Sequence, residues 1–113
     1  MTGLQIAKAA AKIFDDKLAV DVKVLKVKEL TIIADYFVIV SGQSSTQVAS
    51  LADEAEYQLE LLGVPSARKE GSAAGGWIVL DYETVIMHIF HSDAREFYSL
   101  ERLWADAKQI DIG

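Results

Sequence analysis

The run from Tyr36 to Gly42 constrains the fold more than any other part of the chain. Its first five residues are all apolar and mostly β-branched or aromatic, and it ends in the turn residues Ser41 and Gly42. An apolar run without alternation is typical of a strand that is buried on both faces. The chain is therefore expected to build a sheet with this segment near its centre and with cover on both sides.

The first half of the chain predicts two helices and a second strand around that segment. Apolar residues at helical spacing predict an amphipathic helix over residues 3–15, and alternating valines predict a half-buried strand over residues 21–28. Ser44 stands three residues before Gln47, which is a capping-box start for a second helix. Gly63 is placed to end that helix.

The second half is richer in strand patterns. A weak strand is expected over residues 66–70, and the runs 77–82 and 84–91 predict an antiparallel hairpin. Ser92 or Asp93 is expected to cap a last helical stretch. The resulting element order is α-β-β-α-β-β-β-α.

These elements predict one α/β (α+β) domain over residues 1–113, with helices packed on a mixed, mostly five-stranded sheet. The length of 113 residues suits a single domain, because a chain of this size buries about two-thirds of its extended surface on folding. Residues 105–113 show no strong pattern and are expected to fray.

Composition narrows the class of protein. The chain has no Cys, which excludes disulfides, zinc fingers and thiol nucleophiles, and a reducing, cytoplasmic location is expected. Lys8, Lys12 and Lys17 interrupt the first twenty residues, and no apolar run approaches the length of a membrane span. Neither secretion nor a membrane partner is expected.

The charge is divided unevenly along the chain. The net charge is −6, yet residues 1–30 hold six Lys against four acids, so residues 31–113, with five bases against thirteen acids, carry −8. An acidic body repels the phosphate backbone, so no direct sequence-specific contact with nucleic acid is expected. A basic protein partner suits the charge better.

Few residues suggest catalysis or a cofactor. His88 and His91 would point to opposite faces of a strand and cannot share a metal, so a structural or interface imidazole is expected at His88. Asp81 and Glu83 would lie about 7 Å apart on one strand face, which is how a nucleotidyltransferase holds Mg²⁺. A Mg²⁺-dependent enzyme that uses these two acids is the alternative to a protein with no catalytic residue, metal or cofactor.

The late strands leave one question of orientation open. Val85, Met87 and Ile89 share a face and are expected in the core, while His88 and Phe90 share the opposite face. That second face either forms an exposed apolar patch of the kind that marks partner sites, or is covered by the rest of the chain.

Several motifs taken together resemble the Iojap-related ribosomal silencing factors over about residues 3–108. They are Asp35 to Gly42 with Ser44 and Gln47, then Gly76-Trp77, Asp81-Tyr82, His88-Ile89-Phe90, and Arg95 through Trp104. The resemblance implies a small domain similar in topology to nucleotidyltransferases but without their activity. It also implies binding to ribosomal protein fourteen of the large subunit and a steric block to subunit joining, which represses translation.

The resemblance also suggests which residues meet the partner. The aromatic and apolar candidates are expected as anchors, with Trp77, Tyr98 and Leu100 foremost, and the three acids as rim charges that face Lys and Arg. The candidate set is Trp77, Asp81, Tyr82, His88, Phe90, Glu96, Tyr98, Leu100, Glu101, Leu103 and Trp104.

Two residues near the late motifs and one alternative function remain to be considered. Arg95 is expected to pair with Asp93 or Glu96. Glu83 departs from the family pattern, which often has Gly after the Asp-Tyr pair, and this puts the shape of the local turn in question. A homodimeric scaffold, or a homodimer of the free protein, is the remaining alternative.

Overall fold

A six-stranded mixed sheet forms the centre of the computed structural model, which describes residues 1–65 and 68–112. The strands in chain order are β1 (Val20–Lys26), β2 (Tyr36–Gly42), β3 (Arg68–Ser72), β4 (Trp77–Asp81), β5 (Val85–His91) and β6 (Lys108–Ile110). Their order across the sheet is β3-β4-β5-β2-β1-β6. β2 and β5 are parallel, and the other neighbouring strand pairs within the described residues are antiparallel.

β2 occupies the position predicted for it. Six of its seven residues are buried, because Val38 and Val40 face one layer of the core while Phe37 and Ile39 face the other. It pairs with β5 on one side, from Tyr36 opposite Val85, and with β1 on the other. The prediction of a central strand covered on both faces is confirmed.

Two long helices cover the first face of the sheet: α1 (Gly3–Asp16) and α2 (Ser45–Leu61). Ser44 caps α2 as predicted, since its Oγ accepts a hydrogen bond from the Gln47 backbone N–H at 3.1 Å. The Gln47 side-chain oxygen accepts from the Gln43 N–H at 2.7 Å, one residue earlier than a capping box requires. Gly63 follows the helix with φ +86°, as the C-terminal signal predicted.

The second face of the sheet is covered by shorter elements, α3 (Ser92–Tyr98) and α4 (Leu100–Leu103). Its buried cluster contains Leu25, Val27, Ala34, Phe37, Ile39, Ile86 and Phe90. Leu100, Trp104 and Ala107 pack against that cluster from the C-terminal segment. Of the two orientations left open above, the covered face is correct for Phe90, which has no exposed surface.

Three predictions about the C-terminal third are wrong in detail. Residues 108–110 do not fray but pair with Val24–Lys26, because the outer edge of β1 offers free backbone groups to a segment too short to show periodicity. The cap of α3 is His91 rather than Ser92 or Asp93, since its Nδ1 accepts from the Asp93 N–H. Ser99, at φ +48° and ψ +45°, breaks the expected helix in two.

The strands of the second half otherwise follow the prediction. β4 and β5 form the expected antiparallel hairpin, with Trp77 opposite Phe90. The predicted strand at 66–70 corresponds to β3 from Arg68 onward, and residues 66–67 lie outside the described residues. Within the described ranges, no helix combines the length and the apolar character needed to cross a bilayer.

Candidate partner-binding site

An aromatic patch lies where β4 and β5 meet α3. The Trp77 ring stacks on Phe90 with centroids 4.8 Å apart and lies 4.8 Å from Tyr98, and Tyr98 meets Phe97 edge-on at 5.2 Å. Phe90 is buried beneath this group, whereas Tyr98 is 46% exposed and Phe97 is 82% exposed. We define Trp77, Phe97 and Tyr98 as the aromatic patch; Phe90 forms its buried base, and Phe97 and Tyr98 are exposed to solvent.

His88 lies beside the base of this patch. It is 8% exposed, its Nδ1 accepts a hydrogen bond from Trp77 Nε1–H at 3.2 Å, and its ring meets Phe37 edge-on at 4.9 Å. Because Nδ1 is the acceptor, a neutral His88 carries its proton on Nε2, which has no hydrogen-bond partner within the described residues. Desolvation by burial lowers the pKa of His88 to about 4. His88 is therefore a neutral, structural imidazole near neutral pH.

Arg95 anchors α3 to the sheet. Its Nη1 donates to Asp21 O at 2.7 Å, to Ser41 Oγ at 2.9 Å and to Val20 O at 3.3 Å. The acceptors lie on β1 and β2, at the irregularity between Val20 and Lys23 where Asp21 adopts φ +52°. The expected pairing of Arg95 with Asp93 or Glu96 is wrong, because the side chain turns inward, toward the sheet.

Glu101 forms ion pairs with both Arg95 and Lys23. Its Oε1 accepts from Arg95 Nε at 2.8 Å, and its Oε2 accepts from Lys23 Nζ at 2.9 Å. These hydrogen bonds, the Arg95 bond foremost, hold the pKa of Glu101 below its ordinary value against the opposing effect of burial. Both carboxylate oxygens are thus occupied within the molecule, which does not fit the expectation of a free rim charge.

Asp81 and Glu83 do not share a strand face. β4 ends at Asp81, and Glu83 occupies the following turn with φ +70°, where its backbone N–H donates to Asp81 Oδ1 at 2.8 Å. The geometry on which the Mg²⁺ alternative depended is therefore absent. Within residues 1–65 and 68–112, no group of three or more His, Cys, Asp or Glu side chains is placed to hold a metal ion.

Tyr82 lies apart from the aromatic patch. It packs against the core on the first face, and desolvation, followed by the charges of Glu56 and Glu60, raises its pKa to about 12. Its hydroxyl is buried without a hydrogen-bond partner among the described residues.

The predicted residues consequently fall into three groups by exposure. Glu96, Tyr98 and Leu103 are exposed; the half-buried residues are Trp77, Asp81, Tyr82, Leu100, Glu101 and Trp104; and His88 and Phe90 are buried and offer a partner almost no surface. Phe97, the most exposed ring of the aromatic patch, was not among the residues that the sequence predicted. Its position directly before Tyr98 was the available signal, because adjacent residues of a helix point about 100° apart and do not lie side by side on its surface.

Comparison with known proteins identifies the same family that the sequence motifs resemble. A family model described as "Ribosomal silencing factor during starvation" matches residues 2–113. The ribosomal silencing factor RsfS of Bacillus subtilis is 38% identical over 99% of this chain and 95% of its own length. The chloroplastic protein Iojap of Arabidopsis thaliana is 31% identical over 96% of this chain and 45% of its own length.

The fold agrees with a solved structure as well. The crystal structure of a Chromobacterium violaceum protein superposes with a TM-score of 0.88 at 28% identity, covering 93% of this chain and 88% of the other. With the family model spanning all but the first residue, the chain belongs to the ribosomal silencing factor family.

Proposed function

We propose that this protein binds the large ribosomal subunit through ribosomal protein fourteen and sterically prevents the small subunit from joining. Membership of the family implies ribosome-associated silencing of translation. The observation that carries the finer proposal is the aromatic patch, because exposed aromatic rings seated on a buried base are the side chains that dominate interface energetics.

The charge of the chain supports a basic protein as the partner. The net charge is −6, and the exposed Glu96 lies beside Phe97 and Tyr98 on α3. Complementary charge at the rim of an interface speeds association and sets orientation more than it adds affinity. A cytoplasmic, ribosome-associated location follows from this proposal.

The proposed mechanism requires no chemistry. The molecule measures 33 × 32 × 26 Å, so a domain bound at the face where the subunits meet fills a volume that the small subunit would otherwise occupy. Binding and blocking are then the same event, and the silencing effect depends on how long the complex persists.

Sedimentation with isolated ribosomal subunits tests the proposal. The protein is expected to pellet with the large subunit, not with the small one, and to reduce the yield of joined ribosomes when both are mixed. Failure to pellet with the large subunit would overturn the proposal.

A matched pair of tyrosine variants locates the contact. Tyr98→Ala removes a ring of the patch, whereas Tyr57→Ala removes a ring on α2 that is 60% exposed and lies on the opposite side of the sheet. Tyr98→Ala is expected to weaken binding about tenfold or more, as truncation of an interface anchor does. Tyr57→Ala is expected to bind normally, and equal binding by both variants with intact folds would remove Tyr98 from the interface.

A further inference from the structure

No apolar side chain of α3 or α4, the helices that cover the second face, is fully buried. Arg95 is the one buried residue within α3, and α4 contains none. The two helices meet at Ser99, whose left-handed conformation is unfavourable for a residue other than glycine. Leu100 and Trp104 pack on the buried cluster, yet both remain half-buried.

A charge network adds to these partly buried contacts. Arg95 donates to two carbonyls and a hydroxyl on β1 and β2, and to Glu101 on the next helix. Glu101 in turn accepts from Lys23 of β1, so each helix is fastened separately to the sheet. Hydrogen bonds that involve ionised groups are about twice as strong as neutral ones, and Arg95 is itself shielded from water.

We propose that Arg95 is a positioning residue and that Glu101, rather than touching a partner, is the internal half of a clamp that docks α3 and α4 on the sheet. This inference rests on the proposed function, because docking matters only if the aromatic patch and Leu103 meet a partner. Phe97 and Tyr98 lie in α3, and Leu103 lies in α4. The clamp therefore assembles the binding surface before the partner arrives.

Preorganisation of this kind sets the apparent affinity. A partner that binds only the docked form has its dissociation constant divided by the docked fraction, so loosening the clamp weakens binding only after the undocked form becomes appreciable. A direct contact behaves differently, because its loss weakens binding whatever the docked fraction is.

Hydrogen exchange on the free protein tests the clamp without the ribosome. Glu101→Gln keeps the shape of the side chain but removes its charge, and Glu96→Gln makes the same change at an exposed position on α3. Glu101→Gln is expected to lower the protection of amides in residues 92–107 about tenfold while leaving β2 and β5 protected, because it weakens two charge-assisted hydrogen bonds. Glu96→Gln is expected to leave that protection unchanged.

Arg95→Lys provides the second variant. Lysine keeps the positive charge but cannot reproduce the planar fork that reaches Glu101 and the strand carbonyls together, so a larger loss of protection in the same segment is expected. If Arg95→Lys were to keep wild-type protection there, the proposal would be wrong.

Binding to the large subunit then separates a clamp from a contact. For Glu101→Gln and Arg95→Lys, the factor by which affinity decreases should equal the factor by which the docked fraction, measured by hydrogen exchange, decreases. Weakened binding of Glu101→Gln with unchanged protection would overturn the proposal and make Glu101 a contact residue. Should the unaltered protein fail to bind the large subunit, the proposed function fails, and the exchange data still decide whether the clamp exists.

Discussion

Burial of His88 makes the stability of the fold depend on pH in a range where carboxylates contribute little. The pKa of His88 is lowered from 6.5 to about 4 in the folded protein. Between pH 6.5 and pH 4 the unfolded chain binds a proton at this position that the folded protein does not bind. The free energy of unfolding therefore decreases as the pH is lowered through this range. From pH 7 to pH 5, the expected decrease in the free energy of unfolding from this residue is about 2 kcal/mol.

Replacement by asparagine isolates this contribution. In His88→Asn the amide oxygen replaces Nδ1 as the acceptor for Trp77 Nε1–H, while the titrating group is gone. Urea denaturation at pH 7 and pH 5 is expected to show a decrease that is about 2 kcal/mol smaller in the variant than in the unaltered protein. The absolute stability of the variant at pH 7 does not enter this difference.

His91→Asn is the matched control. Asparagine is a good helix N-cap, so it can replace the Nδ1 acceptor of His91 at the start of α3. This variant retains His88 and is therefore expected to keep the decrease of about 2 kcal/mol that His88 contributes between pH 7 and pH 5. The reasoning would be refuted if His88→Asn lost as much stability on acidification as the unaltered protein.

Three further predictions concern residues with positive φ and a helix cap, and urea denaturation checks each of them. Glu83→Gly should raise the free energy of unfolding by about 1 kcal/mol, because φ +70° is strained for glutamate and natural for glycine. Gly71→Ala should lower it by at least about 3 kcal/mol, since the new Cβ would clash with the Trp77 carbonyl oxygen. Gly63→Ala, which has open space around the new Cβ, should lower it by about 1 kcal/mol. Ser44→Ala should lower it by about 1 kcal/mol through loss of the α2 cap; no loss would mean that the cap contributes nothing.

The parts of the fold that sequence predicted are those whose pattern is local. β2 and α2 are long enough for apolar spacing to identify them, and Ser44 and Gly63 carry recognised signals at the ends of α2. β6 could not be predicted in this way, because three residues show no periodicity and its stability comes from pairing with β1. The turn at Glu83 shows the same limit, since its conformation follows from the hairpin register.

The candidate site was likewise predicted only in part from the sequence. Trp77 and Tyr98 were selected as aromatic anchors, and they lie in contact at the surface. From the sequence, Glu101 was predicted to face Lys or Arg of a partner, and Arg95 was predicted to pair with its near neighbours Asp93 or Glu96. The two side chains bind each other, and their other partners lie on β1 and β2, as many as 78 positions away in the case of Lys23 and Glu101, where no local pattern indicates a contact.

The parallel pairing of β2 with β5 also bears on how the chain reaches its native state. Tyr36 pairs with Val85 and Gly42 with His91, so each partner is 49 positions from the other along the chain. The β4–β5 hairpin and the two long helices contain mostly local contacts and can form early, whereas the β2–β5 pairing must close a long loop first. The middle of the sheet is thus expected to consolidate late, with refolding slower than the microseconds typical of small helical bundles. Until β5 has been synthesised, the apolar β2 lacks one of its two native neighbours and is the segment most exposed to aggregation.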